Sequence, residues 1–537
     1  MSLSLKINTN DSVAVALETL KKGTTVSISD DKITLVNTIP QKHKFSLIEI
    51  PKGETITMYG VVVGEALKDI SKGELISLEN VRHKTEKVNG KTASWHWHIP
   101  NIEKWKNLTF DGYPRNDGQV GTENIWLFFP LVFCENRNIQ TLKILFDKVL
   151  NPPKKEALET LLTSLISPGS SPIQTTAIES PPPGFENIKI RFLTHQGGCG
   201  GTRQDAQSLA ALLAGYVNNP NVAGATVLSL GCQNLEIKTF QKALATYQID
   251  SSKKVLIFDQ QTEGTTENFL KKILQDSVVE IKKANEIHRK PMPLNKLTIG
   301  LECGGSDGFS GITANPALGY VSDIIATLGG KAILAEFPEL SGVEQELVNR
   351  CDTPALGEKF LHLMKAYEKE AHAVGSGFDM NPSPGNIKDG LITDAMKSAG
   401  AAKKSGSAPI TSVLDYTEYA INPGIALLCT PGNDVESTTA LAGSGANLIL
   451  FTTGLGTPTG NPISPVIKVG TNTDLAQRMP DIIDFDAGRL ISNKMDMNAL
   501  GAELMELIIA VASGKIISKA TALEQFDFIP WKRGVSL

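Results

Sequence analysis

The pattern of apolar and polar positions changes part-way along the chain. Over residues 1–85 the apolar positions come in short runs, at 13–17, 25–28, 33–36, 56–58 and 75–76, divided by KKG, KG and SKG turns. Short runs between glycine-bearing turns predict a small β-rich module. Within it the phrases IPKGETI and ISKGELI repeat, which puts Gly53 and Gly73 at turn positions that need a positive φ. A linker rich in Trp and His, WHWHIP, follows at 95–100. A second linker is expected at 167–184, where four prolines between Pro172 and Pro183 exclude both helix and central strand.

After Gly184 the pattern becomes that of alternating strands and helices. Strand-length apolar runs recur at 188–193, 225–230, 255–258, 297–301, 332–335, 426–429, 448–451 and 466–469. Helix-period segments lie between several of them. The clearest is 269–284, where Phe269, Leu270, Ile273, Leu274, Val278 and Ile281 form one stripe. Such alternation predicts largely parallel sheets with helices on both faces. The expected fold class is therefore multidomain α/β: a small β module at 1–100, a second α/β domain at 101–285 and a C-terminal α/β domain at 286–537.

Composition narrows the function classes. With 537 residues the chain is too long for one core. A net charge of −5 gives no basic balance to attract nucleic acid or an anionic membrane surface. No apolar run approaches the roughly 18 residues of a membrane span, and no leader pattern opens the chain. Six scattered cysteines form no CxxC pair. The expectation is a cytoplasmic protein with reduced thiols.

The residues just after the predicted strands carry the chemistry. They read THQGGCGGTRQD (194–205), GCQN (231–234), ECGGSDGFSG (302–311), EFPEL (336–340), TPGND (430–434) and TTGLGTPTGNP (452–462). In parallel α/β sheets, ligands bind on such loops at the carboxyl ends of strands. GGCGGTR lacks the Lys-Ser/Thr of a phosphate loop and no GxGxxG follows an early strand, so no nucleotide is expected. His195 suits a general base or a metal ligand, Cys199 a metal-bound thiolate or a nucleophile, and Arg203 a clamp for a carboxylate. The plainer readings are a hydrogen-bonded loop histidine, a small buried thiol and a surface arginine. Cys303, Asp307 and Asn315 form a second polar set, with Asp307 suited to a hard divalent cation. His43, beside Lys44, reads on its own as a surface pair more readily than as a functional residue.

The stretch LECGGSDGFSGITANP (301–316), with PSPGN at 382–386, PGND at 431–434 and LFTTGLGTPTG at 450–460, resembles the altronate/galactarate dehydratase family. HKF at 43–45 and VGEALKDISKGE resemble that family's SAF-type β-clip module, and FDGYPRNDGQVGTENIWLFFPLVFCENRN (110–138) resembles the opening of its second domain. HQGGCGGTRQDAQ is most similar to the altronate dehydratase branch. Two departures stand out: Ser77-Leu78-Glu79-Asn80 replaces a His-x-His-Asn run, and Glu123-Asn124 replaces Arg-Asn.

The resemblance implies a hydro-lyase that removes water from a sugar acid, D-altronate giving 2-dehydro-3-deoxy-D-gluconate, in hexuronate catabolism. It implies a divalent metal, Fe2+ with Mn2+ as the alternative, and no iron–sulfur cluster. The expected roles are His195, His43 and Arg203 in catalysis, with Cys199, Cys303 and Asp307 at the metal. Gly304, Gly305, Ser306, Asn315, Asn433 and Thr453 are expected to bind substrate. The partners expected are a small sugar acid and a second copy of the chain, with neither nucleic acid nor membrane. Galactarate dehydration, a sulfo-lyase reaction and a non-catalytic sugar-acid sensor are the competing readings.

Overall fold

The computed structural model describes residues 3–28, 31–150, 157–166, 182–247, 252–493 and 495–534. Most of the linker expected at 167–184, up to residue 181, lies outside them. The chain forms two compact units. One joins the segment up to Gly112 with Pro291–Trp531; the other comprises Tyr113–Lys290 and the segment from Lys532.

In the first unit the N-terminal module is built from short antiparallel strands, as its short apolar runs require. Val13–Ala16 lies between Ser4–Leu5 and Lys44–Ser46, and Thr55–Met58, Val61–Ala66 and Val81–Arg82 form a second sheet. Ala14, Leu20, Val26, Ile33, Ile39 and Phe45 give it a core of its own. Gly53 and Gly73 sit at φ +88° and +84°, and a side chain on Gly73 would meet the Thr34 carbonyl oxygen at 2.4 Å.

The module packs on a seven-stranded sheet, all of whose pairings are parallel. Its strands in chain order are β1 (Thr298–Cys303), β2 (Lys331–Leu334), β3 (Ile410–Leu414), β4 (Gly424–Leu428), β5 (Leu448–Thr453), β6 (Val466–Gly470) and β7 (Phe485–Asp486). In space they run β3-β4-β2-β1-β5-β6-β7. β1 sends the chain toward β2 through helix α1 (Ala314–Thr327). Helix α2 (Asp394–Ala401) precedes β3, and helix α3 (Asp434–Gly443) carries the chain from β4 to β5 on the opposite side of β1. The strand order thus reverses between β1 and β5, where the exits of parallel strands diverge and leave a crevice.

The second unit holds a four-stranded parallel sheet in the order Lys189–Phe192, Ile125–Pro130, Val222–Ser229, Lys254–Asp259. Trp126, Phe128, Ile139, Phe269, Ile273 and Ile281 form its core. The helix expected at 269–284 spans Thr266–Ala284 and is capped by the Thr265 hydroxyl. Glu123, which stands where the family pattern has arginine, pairs with Lys189 at 2.7 Å. Among the described residues no helix is long and apolar enough to cross a membrane.

Candidate active site

The carboxyl end of β1 in the first unit gathers an unusual density of buried charge. Glu302 and Cys303 are its last two residues, so they leave the strand on opposite faces. The Cys303 thiol donates to Glu339 Oε2 at 3.1 Å and lies 3.5 Å from Glu336 Oε2. Lys404 donates to both Cys303 Sγ and Glu336 Oε2 at 2.8 Å, and Lys397 pairs with Glu339 at 2.6 Å. Glu302 Oε2 accepts a 2.5 Å hydrogen bond from Ser437 of α3. Asp434 opens the same helix, so close to β1 that a side chain on Gly304 would meet Asp434 Oδ2 at 2.0 Å.

Glu336 is central to this arrangement and adopts a left-handed conformation, φ +69° and ψ +63°. A non-glycine residue pays for such a backbone with strain, which clusters at functional positions. The turn is fixed by its own N–H donating to Thr430 Oγ1 at 2.8 Å.

Burial and crowding set the protonation. Burial first, and then Glu336, pushes the Glu302 carboxyl well up. The Cys303 thiol is likewise raised, by burial and then by Glu336 and Glu339. Asp434 is pushed up to about 7 by burial and by the same two glutamates. Burial opposes the charge on Lys404, but Cys303 and the surrounding carboxylates outweigh it and hold its pKa above the ordinary lysine value.

The donors present fit a divalent cation. Cys303, Glu336 and Glu339 offer one compact set of ligand atoms and Glu302, Glu336 and Asp434 another. Lys404 already places an ammonium on the first set. In the second, Glu302 Oε1 and Glu336 Oε1 are buried with no hydrogen-bond partner. Buried carboxylates in excess of cations either take up protons or bind a metal. Carboxylate oxygens with at most one thiol suit a hard or borderline ion.

The sequence-predicted residues fall into distinct places. Cys303 and Gly304 belong to this cluster. Gly305, with φ +60°, and Ser306 continue its loop, and the Ser306 carbonyl accepts from Asn386 Nδ2 at 2.7 Å. Asn315 bridges Thr452 and the Gly400 carbonyl within the core. Asn433 caps α3, and the Thr453 hydroxyl accepts from the backbone of Gly456 and Thr457. These three side chains hold the loops around the cluster.

Asp307, expected at the metal, is engaged otherwise. Its Oδ1 accepts from Phe309 N–H and Ser310 Oγ; its Oδ2 accepts from Thr471 and Asn472 and pairs with Lys42 at 2.9 Å. Those contacts use the lone pairs a metal would need.

His43 comes from the N-terminal module, between Lys42 and Lys44, and rests on the 388–390 turn. Its Nε2 donates to the Lys388 carbonyl at 3.0 Å, while Nδ1 is buried with no hydrogen-bond partner. Burial pushes its pKa down, so the imidazole is neutral with a free acceptor. His195, Cys199 and Arg203 lie in the second unit. His195 Nε2 donates to the Pro130 carbonyl at 2.7 Å and Nδ1 accepts from Gly197 N–H at 3.1 Å. Both ring nitrogens are spent and burial lowers the pKa to about 4, so the expectation of a general base there gives way to a neutral loop anchor. Cys199 and Arg203 are exposed.

Glu302, Glu336, Glu339, Lys397, Lys404 and Asp434 had not been named from sequence. The signal available was an acidic residue within a few positions of a strand end, in EFPEL and PGND. The lysines come from helical segments with no such mark.

A parallel sheet whose central strand ends in a carboxylate-rich crevice, with a small β module packed beside it, is the architecture of an α/β protein with its site at the strand exits. Three family models match along the chain: the altronate/galactarate dehydratase SAF domain at 2–84, the D-galactarate dehydratase/altronate hydrolase second domain at 112–285, and the D-galactarate/altronate dehydratase C-terminal domain at 294–536. The chain is 33% identical to the altronate dehydratase of Escherichia coli K12 over 540 residues, covering 99% of each. It is 33% identical to that of Bacillus subtilis 168 over 544 residues, covering both fully. The galactarate dehydratase (L-threo-forming) of E. coli K12 is 30% identical over 518 residues, 95% of this chain and 93% of that one. The chain belongs to the altronate/galactarate dehydratase family and is an enzyme of the hydro-lyase class.

Proposed function

We propose that the enzyme removes water from D-altronate to give 2-dehydro-3-deoxy-D-gluconate. The observation that carries this reading is the full-length likeness to two altronate dehydratases, over a chain whose central strand ends in a buried carboxylate crevice. The chemical obstacle is the weakly acidic C2–H beside a carboxylate, because its removal builds an enediolate with two negative charges. A divalent cation, when bound, supplies the charge that stabilises such a species. Glu302, Glu336 and Asp434 would hold it. His43 offers its free Nδ1 as the base, oriented by the Nε2 bond to Lys388 in the way an acceptor fixes a catalytic imidazole. The proton taken from C2 leaves with the C3 hydroxyl as water, and the enol becomes the 2-keto acid. Lys397 keeps the remaining carboxylate, Glu339, charged and in place, and Lys404 holds Glu336 in position.

The test is 2-keto-3-deoxy acid formation from D-altronate and from galactarate, under anaerobic conditions with ferrous iron and with or without chelator. Chelator-sensitive turnover of altronate is expected. Turnover of galactarate alone would keep the chemistry and change the substrate, a reading favoured by the 30% identity to a galactarate dehydratase. Turnover of neither would overturn the proposal.

A further inference from the structure

The six cysteines divide sharply between the two units. Cys303, Cys351 and Cys429 of the first are buried, whereas Cys134, Cys199 and Cys232 of the second are all exposed. Cysteine is among the most consistently buried residues, so three exposed thiols in one small unit need a reason.

All three occupy the same end of the same sheet. Cys134 follows the strand Ile125–Pro130, Cys199 follows Lys189–Phe192, and Cys232 follows Val222–Ser229. These strands are parallel neighbours, with Ile125–Pro130 in the middle. The three exit loops are bonded to one another. Phe133 N–H donates to the Gly197 carbonyl at 3.1 Å, and Leu235 N–H donates to the Gly198 carbonyl at 3.0 Å. Asn234 Nδ2 reaches the Gly201 carbonyl at 3.2 Å. The approach depends on Gly198, whose φ is +92° and where a side chain would meet the Leu131 carbonyl oxygen at 2.0 Å. His195 braces the same loop through Pro130 and Gly197. Each cysteine is thus within a few residues of a contact that draws its loop to the next.

We propose that Cys134, Cys199 and Cys232 together bind a four-iron, four-sulfide cluster, with one iron left without a protein ligand. Thiolates are the natural ligands of such clusters. A single tetrahedral ion would need the sulfurs about 3.8 Å apart, from Zn–S bonds of about 2.3 Å. Among the described residues the donor sets compact enough for one ion are Cys303–Glu336–Glu339 and Glu302–Glu336–Asp434, and the three exposed thiols are not such a set. Three exposed thiols on exit loops that are bonded to one another along one sheet end suit a cluster several ångströms across rather than one ion. Three thiolates to four irons leave one iron open to an oxygen ligand such as a hydroxy acid. The resemblance implied no iron–sulfur cluster; these thiols, which come from three loops and show no CxxC spacing, argue for one. The inference stands apart from the choice of sugar acid.

The full chain, reconstituted anaerobically with ferric iron, sulfide and excess dithiol, which supplies the two electrons a cluster of two ferric and two ferrous irons needs, is expected to bind about four iron and four sulfide per chain and to show the broad thiolate-to-iron absorption of a cluster. Cys134→Ser, Cys199→Ser and Cys232→Ser should each lower bound sulfide at least threefold, whereas Cys351→Ser, in the first unit, should not. Alkylation mapped by mass spectrometry, on the unaltered chain, guards against misfolded variants: the three thiols should be protected after reconstitution and reactive before it. Iron bound without sulfide, a single zinc ion, or equal alkylation in both states would overturn the proposal.

Discussion

Individual residues here do work their chemistry alone would not have assigned. His195 looked like a base, and its surroundings make it a brace. Because its folded pKa, about 4, lies below the ordinary 6.5, protonation favours the unfolded chain. Its contribution is therefore complete above pH 6.5 and is lost as pH falls toward 4, amounting to roughly 3 kcal/mol across that window. Urea melts of the second unit at pH 7 and pH 4.5 should show this slope, and His195→Gln should flatten it. Gly304 is the opposite case: a residue without a side chain that the site cannot replace. In Gly304→Ala the new carbon would collide with Asp434 Oδ2, so kcat/KM should fall at least about 100-fold, since a displacement near 1 Å in a reacting group costs that much. Melting temperature measured alongside should move by only a few degrees.

At the scale of elements, strands were legible where aliphatic runs stand between polar stretches, as in β1, β5 and β6. Ile125–Pro130, IWLFFP, is not among the strands expected from the sequence, because continuous burial leaves no alternation to mark it. Ile410–Leu414, at the edge of the large sheet, was missed since ITSVL mixes polar and apolar positions. The cluster itself was half legible. Cys303 and Gly304 stand in one distinctive phrase, but Glu336, Lys404 and Asp434 are brought to them only by the strand order. The 42–44 segment shows how one short element can be fastened to another. Lys42 pairs with the fully buried Asp307, and Lys44 donates to the Gly390 carbonyl at 2.6 Å. Lys42→Met would leave a buried carboxylate without its cation and should cost about 3–5 kcal/mol. Adding Asp307→Asn should recover part of that loss, and a double-mutant cycle from urea melts measures the coupling.

For the molecule as a whole, the N-terminal module is built into the first unit. Lys44, Tyr59 and the 42–43 backbone are buried against the 308–311 and 390 turns, with the Tyr59 hydroxyl filling the space a side chain on Gly311 would need. A chain beginning at Asp111 should therefore lose the cooperative melting of the first unit as well as activity, whereas a detachable lid would leave that transition in place. Calorimetry of the shortened and full chains distinguishes the two outcomes.

The first unit is also discontinuous in sequence, with residues 113–290 intervening between its two parts. During synthesis at roughly 5–20 residues per second, the N-terminal module leaves the ribosome about ten to forty seconds before even the first strand of the large sheet. For that interval its docking surface, with Lys44 and Tyr59, has no native cover. The second unit, by contrast, has all the strands of its own sheet within residues 113–290 and takes only the segment from Lys532 from elsewhere in the chain. A translating cell would thus meet this enzyme as a finished middle with an unfinished end, and chaperones should engage it through the nascent module.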